Sequence, residues 1–191
     1  MGKRRIPEVL TAEEQESFLR TFNRKAPTGF RNYVMCRLML DAGLRCGEVL
    51  NLKVNDIDWT TGKIHIKRGK GDKDRIVWLN DDALDDLRIW KTKRPTNSEW
   101  LFCTLKGEKL NDRYMRAMVK RKARQAGIDK DVHPHTLRHS FATDLYRESK
   151  NLRLVQKALG HSSIQTTEVY THIFDEELEQ EMKFFRSQKT A

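Results

Sequence analysis

The sequence has no long apolar run. Nothing in its 191 residues approaches the ~18 consecutive apolar positions that a spanning helix needs, so a transmembrane helix is excluded. Lys3, Arg4 and Arg5 make a basic start, but no apolar stretch follows them, and the expectation is a chain without a secretory signal. Cysteine is scarce: Cys36, Cys46 and Cys103 are odd in number and widely spaced, with no CxxC. Neither a disulfide framework nor a cysteine zinc site is expected, and a reducing cytoplasm fits. Internal repeats, low-complexity tracts and a clear interdomain linker are missing. So are the GxxxxGK[ST] phosphate loop and the HExxH metal motif. Acidic residues are in short supply, 27 against 37 Lys and Arg, for a formal net charge of +10. The length suits one domain, or one domain and a short tail, and can support a real core.

The positive charge is concentrated. Residues 1–60 carry a net +2, residues 61–140 a net +9 and residues 141–191 a net −1. Within the middle stretch the bases cluster twice, at Lys67, Arg68, Lys70, Lys73 and Arg75, and at Arg113, Arg116, Lys120, Arg121, Lys122 and Arg124. One such run is usually a solvated helix face. Two in one domain favour a nucleic-acid surface over that plain alternative.

Periodicity and punctuation give a mostly helical α+β chain. Thr11-Ala-Glu-Glu14 reads as a capping box opening a helix to about Asn23. Pro27-Thr-Gly29 punctuates the chain, and a second helix follows from about Phe30 to Ala42, stopped by Gly43. A short helix carries Arg45 to Leu52. Val54–Trp59, Lys63–Lys67 and Arg75–Leu79 read as three short antiparallel strands joined by hairpins. Further helices are expected from about Asp81 to Arg94, Asn111 to Ala126, His135 to Glu148, Leu152 to Leu159, Ile164 to Tyr170 and Asp175 to Arg186. Leu101–Thr104 reads as a strand fragment.

Several polar groupings stand out, each with a plain structural alternative. His133-Pro-His135-Thr-Leu-Arg138-His139 places His135, Arg138 and His139 on one helix side, an arrangement suited to gripping a phosphate. It lacks the carboxylates of a metal site, and a lone histidine there would more often be structural. Gly69-Lys70-Gly71 is by itself a hairpin turn, with Lys70 carried at its tip. Arg45 and Glu48 stand three apart and could be a surface ion pair. Tyr170 alone is more often a packing aromatic. Leu159-Gly160-His161 has the form of a helix end capped by glycine.

Taken together and in order, these segments resemble one family, the tyrosine recombinases, which include phage integrases and Xer-type recombinases. Ala42-Gly-Leu-Arg45-Cys-Gly-Glu48 resembles its first arginine box and Gly69-Lys70-Gly71-Asp-Lys-Asp-Arg75 its hairpin lysine motif. His135-Thr-Leu-Arg138-His139 resembles its second box, and Leu159-Gly160-His161 and Thr167-Glu-Val-Tyr170 its last two elements. The resemblance covers about residues 8–175. Cys46-Gly47 and Trp78 depart from the common pattern without removing a reacting group.

The resemblance implies a tyrosine recombinase catalytic-domain fold with a small three-stranded antiparallel sheet. It implies a site-specific DNA recombinase that cleaves and rejoins strands through a 3′-phosphotyrosine, with no cofactor, metal or ATP. Tyr170 would be the nucleophile, His135 the general acid/base, Lys70 the acid for the leaving 5′-oxygen, Arg45 and Arg138 the phosphate clamp, and His161 a further hydrogen-bond donor. Glu48 would orient Arg45 or His135. Lys67, Arg68, Lys73, Arg75, Arg113, Arg116, Lys120, Arg121 and Arg124 would contact DNA. The implied partners are double-stranded DNA, other copies of the chain in a tetrameric synapse and accessory DNA-bending proteins. The free protein is expected to be a monomer or weak oligomer, with no membrane partner, in the cytoplasm and on the nucleoid when bound to DNA.

The domain reading is a basic stub at 1–10, a catalytic domain at 11–174, and a C-terminal helix at 175–191. The stripe Leu178, Met182 and Phe185 on that last helix would dock on a neighbouring subunit. The family's usual N-terminal DNA clamp is not read here, which leaves an excised catalytic domain or a naturally short recombinase, and weak, salt-sensitive DNA affinity. Two other functions share parts of the pattern. They are a type IB topoisomerase, with the same chemistry, and a DNA-binding regulator without catalysis.

Overall fold

The computed structural model describes residues 8–67 and 74–160. The chain divides into a unit of Glu8–Phe141 and a second formed by its ends, Met1–Pro7 and Ala142–Ala191. The expected helices at Ile164–Tyr170 and Asp175–Arg186 lie outside the described residues, as do Arg68, Lys70, Lys73, His161 and Tyr170.

The first unit is organised around one buried helix. After α1 (Ala12–Arg20), α2 (Pro27–Ala42) is apolar on nearly every side, with Val34, Met35, Leu38 and Met39 all essentially inaccessible. A helix without a polar face belongs in a core. It packs against α1, α3 (Cys46–Asn51) and α4 (Asp81–Lys93), while α5 (Asp112–Gln125) packs against α1 and α3. Phe18, Val49, Leu87, Trp90, Met115 and Val119 complete the core from those helices.

Local chemistry sets the helix starts. Thr11 and Glu14 form the expected capping box, through bonds of 2.8 and 3.2 Å. Asn80 and Asn111 cap α4 and α5 by accepting the Ala83 and Tyr114 amides, each at 2.8 Å. Pro27 does not end a helix but begins one. It occupies the first turn, where a missing N–H costs nothing, so α2 starts three residues before the expected Phe30 and α1 stops short of Asn23.

Among the described residues the sheet has two strands, not three. β1 (Lys63–Ile66) pairs antiparallel with β2 (Arg75–Trp78), with Ile64 opposite Val77 and His65 opposite Ile76. The expected first strand, Val54–Trp59, makes a 3₁₀ turn over Val54–Asp56 and touches β1 only at the single bridge Ile57–Ile64. The cause is Asp56, whose carboxylate bends back to accept the Lys53 amide at 2.9 Å and so takes the chain out of the extended state. The Leu101–Thr104 fragment is likewise reduced to the single bridge Cys103–Lys109, with a second bridge, Lys53–Trp100, just before it. The three cysteines are free and buried.

Gly43 ends α2 in the left-handed region at φ +61°, and a Cβ there would sit 2.3 Å from the Phe141 ring. Gly43→Ala should therefore lower stability by about 2 kcal/mol, from backbone strain together with overpacking. Urea unfolding checks this, and a loss below about 0.5 kcal/mol, within the ordinary scatter of surface substitutions, would contradict the close approach.

α6 spans Pro134–Ser149, its residues up to Phe141 belonging to the first unit and the rest to the second. Of the second unit, the described part includes α7 (Leu152–Leu159), capped by the Asn151 side chain at 3.1 Å and closed by Gly160 in the left-handed region, as Leu159-Gly160 led one to expect.

Candidate active site

Glu48 lies at the centre of the site. It sits in the first turn of α3, and its carboxylate reaches back to the N-cap residue, accepting the Arg45 amide at 2.7 Å and an Arg45 guanidinium nitrogen at 3.0 Å. The i, i+3 spacing makes that pairing local. The other two partners are distant in sequence. Arg75, from β2, donates from both terminal nitrogens to the two carboxylate oxygens, one of these bonds measuring 2.7 Å. Arg138, from α6, approaches to 3.9 Å and donates to the Gly43 carbonyl. One carboxylate thus faces three guanidinium groups, and these four side chains carry a net +2.

Burial makes the arrangement consequential. The side chains of Arg75, Arg138 and Glu48 are 7, 6 and 10 % exposed, whereas Arg45 is 34 % exposed. Burial alone would push the Glu48 carboxyl up. The hydrogen bonds and charge of Arg75, the Arg45 amide and the charge of Arg138 outweigh it and hold the group down at about 2. Glu48 is a fixed anion, and it holds Arg45 in a set direction while leaving that guanidinium part-exposed to solvent.

Arg45 and Glu48 line a cavity of about 730 Å³ together with Cys46, His65, Lys67, Trp100, Asp112, Arg116 and His135. His135 is solvent-accessible and lies in the first turn of α6. Desolvation against the cavity wall, then the positive charges of His133, Arg116, Arg138 and Arg45, lower its pKa from the ordinary histidine value. His135 is therefore neutral at neutral pH and able to accept a proton. His139, one turn on, is pushed down further, to about 4, chiefly by burial. His133 acts locally, its Nδ1 accepting the Thr136 amide at 3.3 Å and closing the start of α6.

The two basic clusters separate in use. Arg113, Arg116, Lys120, Arg121 and Arg124 are all exposed along α5, Arg116 at the cavity beside Asp112 and Lys120 paired with Asp131 at 2.9 Å. Lys67 is exposed and paired with Asp56 at 2.6 Å. Arg75 departs from its expected place as a DNA contact: it is buried, and both of its terminal nitrogens are taken by Glu48. In β2, Arg75 and Val77 point inward and Ile76 and Trp78 outward, although Ile76 and Trp78 are the more apolar pair in the sequence. An inward-facing arginine requires a buried carboxylate. Composition gave no warning of Asp112, which lines the cavity with Cys46. Burial, then the Asp112 carboxylate, pushes the Cys46 thiol up to about 12, well away from a reactive thiolate. Among the described residues, no three His, Cys, Asp or Glu side chains group as metal ligands.

Comparison with known proteins places this geometry in context. The profile of the phage integrase family matches residues 8–177. The tyrosine recombinase XerD of Staphylococcus saprophyticus is 38 % identical over 176 residues, which cover 89 % of this chain and 59 % of that protein. The chain therefore spans about three fifths of the length of the curated relatives it matches. Among solved structures, the XerA recombinase superposes with a TM-score of 0.82 at 31 % identity, covering 96 % of this chain and 66 % of the other. The XerH site-specific recombinase, bound to a palindromic difH substrate in a post-cleavage complex, gives 0.82 at 35 % identity, covering 95 % and 54 %.

Proposed function

The chain belongs to the phage integrase family, and from that premise we propose that it is a site-specific DNA recombinase that cleaves and rejoins double-stranded DNA by phosphoryl transfer to Tyr170. The observation that carries this reading is the Glu48 cluster, in which a buried carboxylate fixes Arg45 and Arg138 beside a cavity that holds a neutral histidine. Such a group suits a phosphodiester whose non-bridging oxygens gain charge as it reacts.

The chemistry follows from those charges. The Tyr170 oxygen attacks the scissile phosphorus, and the bond from phosphorus to the 5′-oxygen breaks. The products are a 3′-phosphotyrosyl strand and a free 5′-hydroxyl. A phenol of pKa ~10 has to lose its proton, and His135 accepts it. Lys70 protonates the departing 5′-oxygen. Arg45 and Arg138 donate to the oxygens on which charge accumulates, His161 adds one more donor, and Glu48 with Arg75 keeps both arginines in place without reorganisation at the moment of reaction. The second half-reaction is the reverse, with a 5′-hydroxyl of the exchanged strand attacking the phosphotyrosine. The bond energy is retained, so no external energy source is called for. The protein would act in the cytoplasm on DNA, in a synapse of several copies.

The test is a covalent-trapping assay. A library of nicked duplexes that lose the 5′-fragment on cleavage is incubated with the chain, and denaturing electrophoresis looks for protein linked to a 3′-end. Peptide mapping should place the DNA on Tyr170. Duplexes that bind yet form no adduct would favour a regulator instead, and an adduct at another residue would overturn the assignment.

The state of His135 gives a pH prediction. Its pKa is lowered, so the neutral base persists to more acidic pH than for an ordinary histidine. Single-turnover cleavage should keep more than half of its rate at pH 6.5, the ordinary histidine value, and fall to half only below it. A half-point at or above 6.5 would rule out His135 as the base that limits the rate.

A further inference from the structure

The cavity wall carries a second grouping that the chemistry above leaves unused. Trp100 lines the cavity with Asn51 and Lys53. The ammonium groups of Lys53 and Lys109 lie 5.1 and 4.0 Å from a ring centre of its indole, so one side chain carries both. Tryptophan is the aromatic that attracts cations best.

The two lysines are brought together by the backbone, not by each other. Lys53 is bridged to Trp100, and Lys109 to Cys103. The segment between is fastened residue by residue to the core. The Trp100 carbonyl accepts from Arg94 at 2.9 Å, and Leu101 bonds to the Leu52 carbonyl at 2.8 Å and the Trp90 indole at 2.9 Å. The Cys103 carbonyl accepts from Arg31 at 2.8 Å. The fold therefore carries two positive charges on one tryptophan. Their present partners hold them weakly. Lys53 meets Glu99 at 2.6 Å, both about half exposed, and such pairs contribute little in water. The partner of Lys109 is the neutral Asn51 amide oxygen, at 2.6 Å.

Lys53, on the wall that also presents Arg45 and His135, and Lys109, on the same Trp100 side chain, suit successive phosphates of one strand, which recur every ~3.4 Å of helix axis. We propose that Lys53 and Lys109, held on Trp100, form a seat for the DNA backbone beside the scissile phosphate. Each lysine gives a compact point charge with three donors. The exposed Lys53–Glu99 pair opens as a phosphate replaces the carboxylate. The proposal rests on the DNA reading of the cavity.

The experiment measures binding of a mixed-sequence duplex of about 30 base pairs by fluorescence anisotropy over a range of salt, because phosphate contacts need no target sequence. In the full chain, Lys53→Gln with Lys109→Gln should reduce the slope of log K against log salt by nearly two, at ~0.9 per lost contact. Lys53→Arg with Lys109→Arg should keep it. If thermal unfolding shows that the glutamine pair does not fold, Lys109→Gln alone is read the same way, with a loss of nearly one. An unchanged slope in a folded variant overturns the seat and leaves the DNA reading standing. A parent chain that binds no duplex even at low salt overturns both.

Discussion

Glu48→Gln is expected to destabilise the protein by about 3–5 kcal/mol, since it removes the anion that Arg45, Arg75 and Arg138 share, two of them nearly inaccessible. The carboxyl also makes an independent pH statement. Its folded pKa, at about 2, is depressed from 4.5. The stability it contributes is thus fully present above pH 4.5 and is lost as pH falls towards 2, amounting to about 3 kcal/mol by linkage. In the glutamine variant this part of the acid sensitivity should be absent. Denaturant unfolding at neutral pH and across the acid range measures both effects. If the variant is as stable as the parent at neutral pH, or keeps the parent's acid slope, then Glu48 does not organise the cluster.

Arg138→Lys should lower the rate of covalent adduct formation by a factor of about 10²–10³ while leaving DNA affinity within a few-fold. The lysine keeps the charge but has no planar fork, so it cannot hold the Gly43 carbonyl and face Glu48 and a phosphate together. The comparison has to be made on bound DNA at saturation, so that binding and chemistry are separated. A variant that reacts within a factor of about five of the parent would place the clamp elsewhere.

How much of this was legible in the sequence varies from residue to residue. The capping box at Thr11, the glycine stops at Gly43 and Gly160 and the apolar length of α2 depend on neighbours a few positions away, and those read correctly. The strand expected at Val54–Trp59 did not form. Its apolar alternation competed with a side chain, that of Asp56, which bonds its own backbone. Arg45 and Glu48 could be paired from their spacing alone. The convergence of Arg75 and Arg138 on the same carboxylate has no local signature, because it joins segments 27 and 90 residues from Glu48. Counting charge placed Arg75 in a DNA-facing cluster, since a count carries no direction. Lys53 and Lys109 were missed for the opposite reason. They lie far apart in sequence, in stretches of ordinary charge, and only a backbone bridge to either end of one short segment makes them neighbours.

The inward position of Arg75 has a consequence for folding fidelity. Two-stranded hairpins are weakly constrained, and a slip of one residue exchanges their faces. In β2 such a slip would turn Arg75 out to solvent and press Ile76 against the Glu48 carboxylate, leaving a buried anion without its bidentate partner. The mispaired state is thereby penalised far more than the loss of a few hydrogen bonds would penalise it. The charge cluster acts as a checksum on strand pairing, accepting one register and rejecting its neighbours.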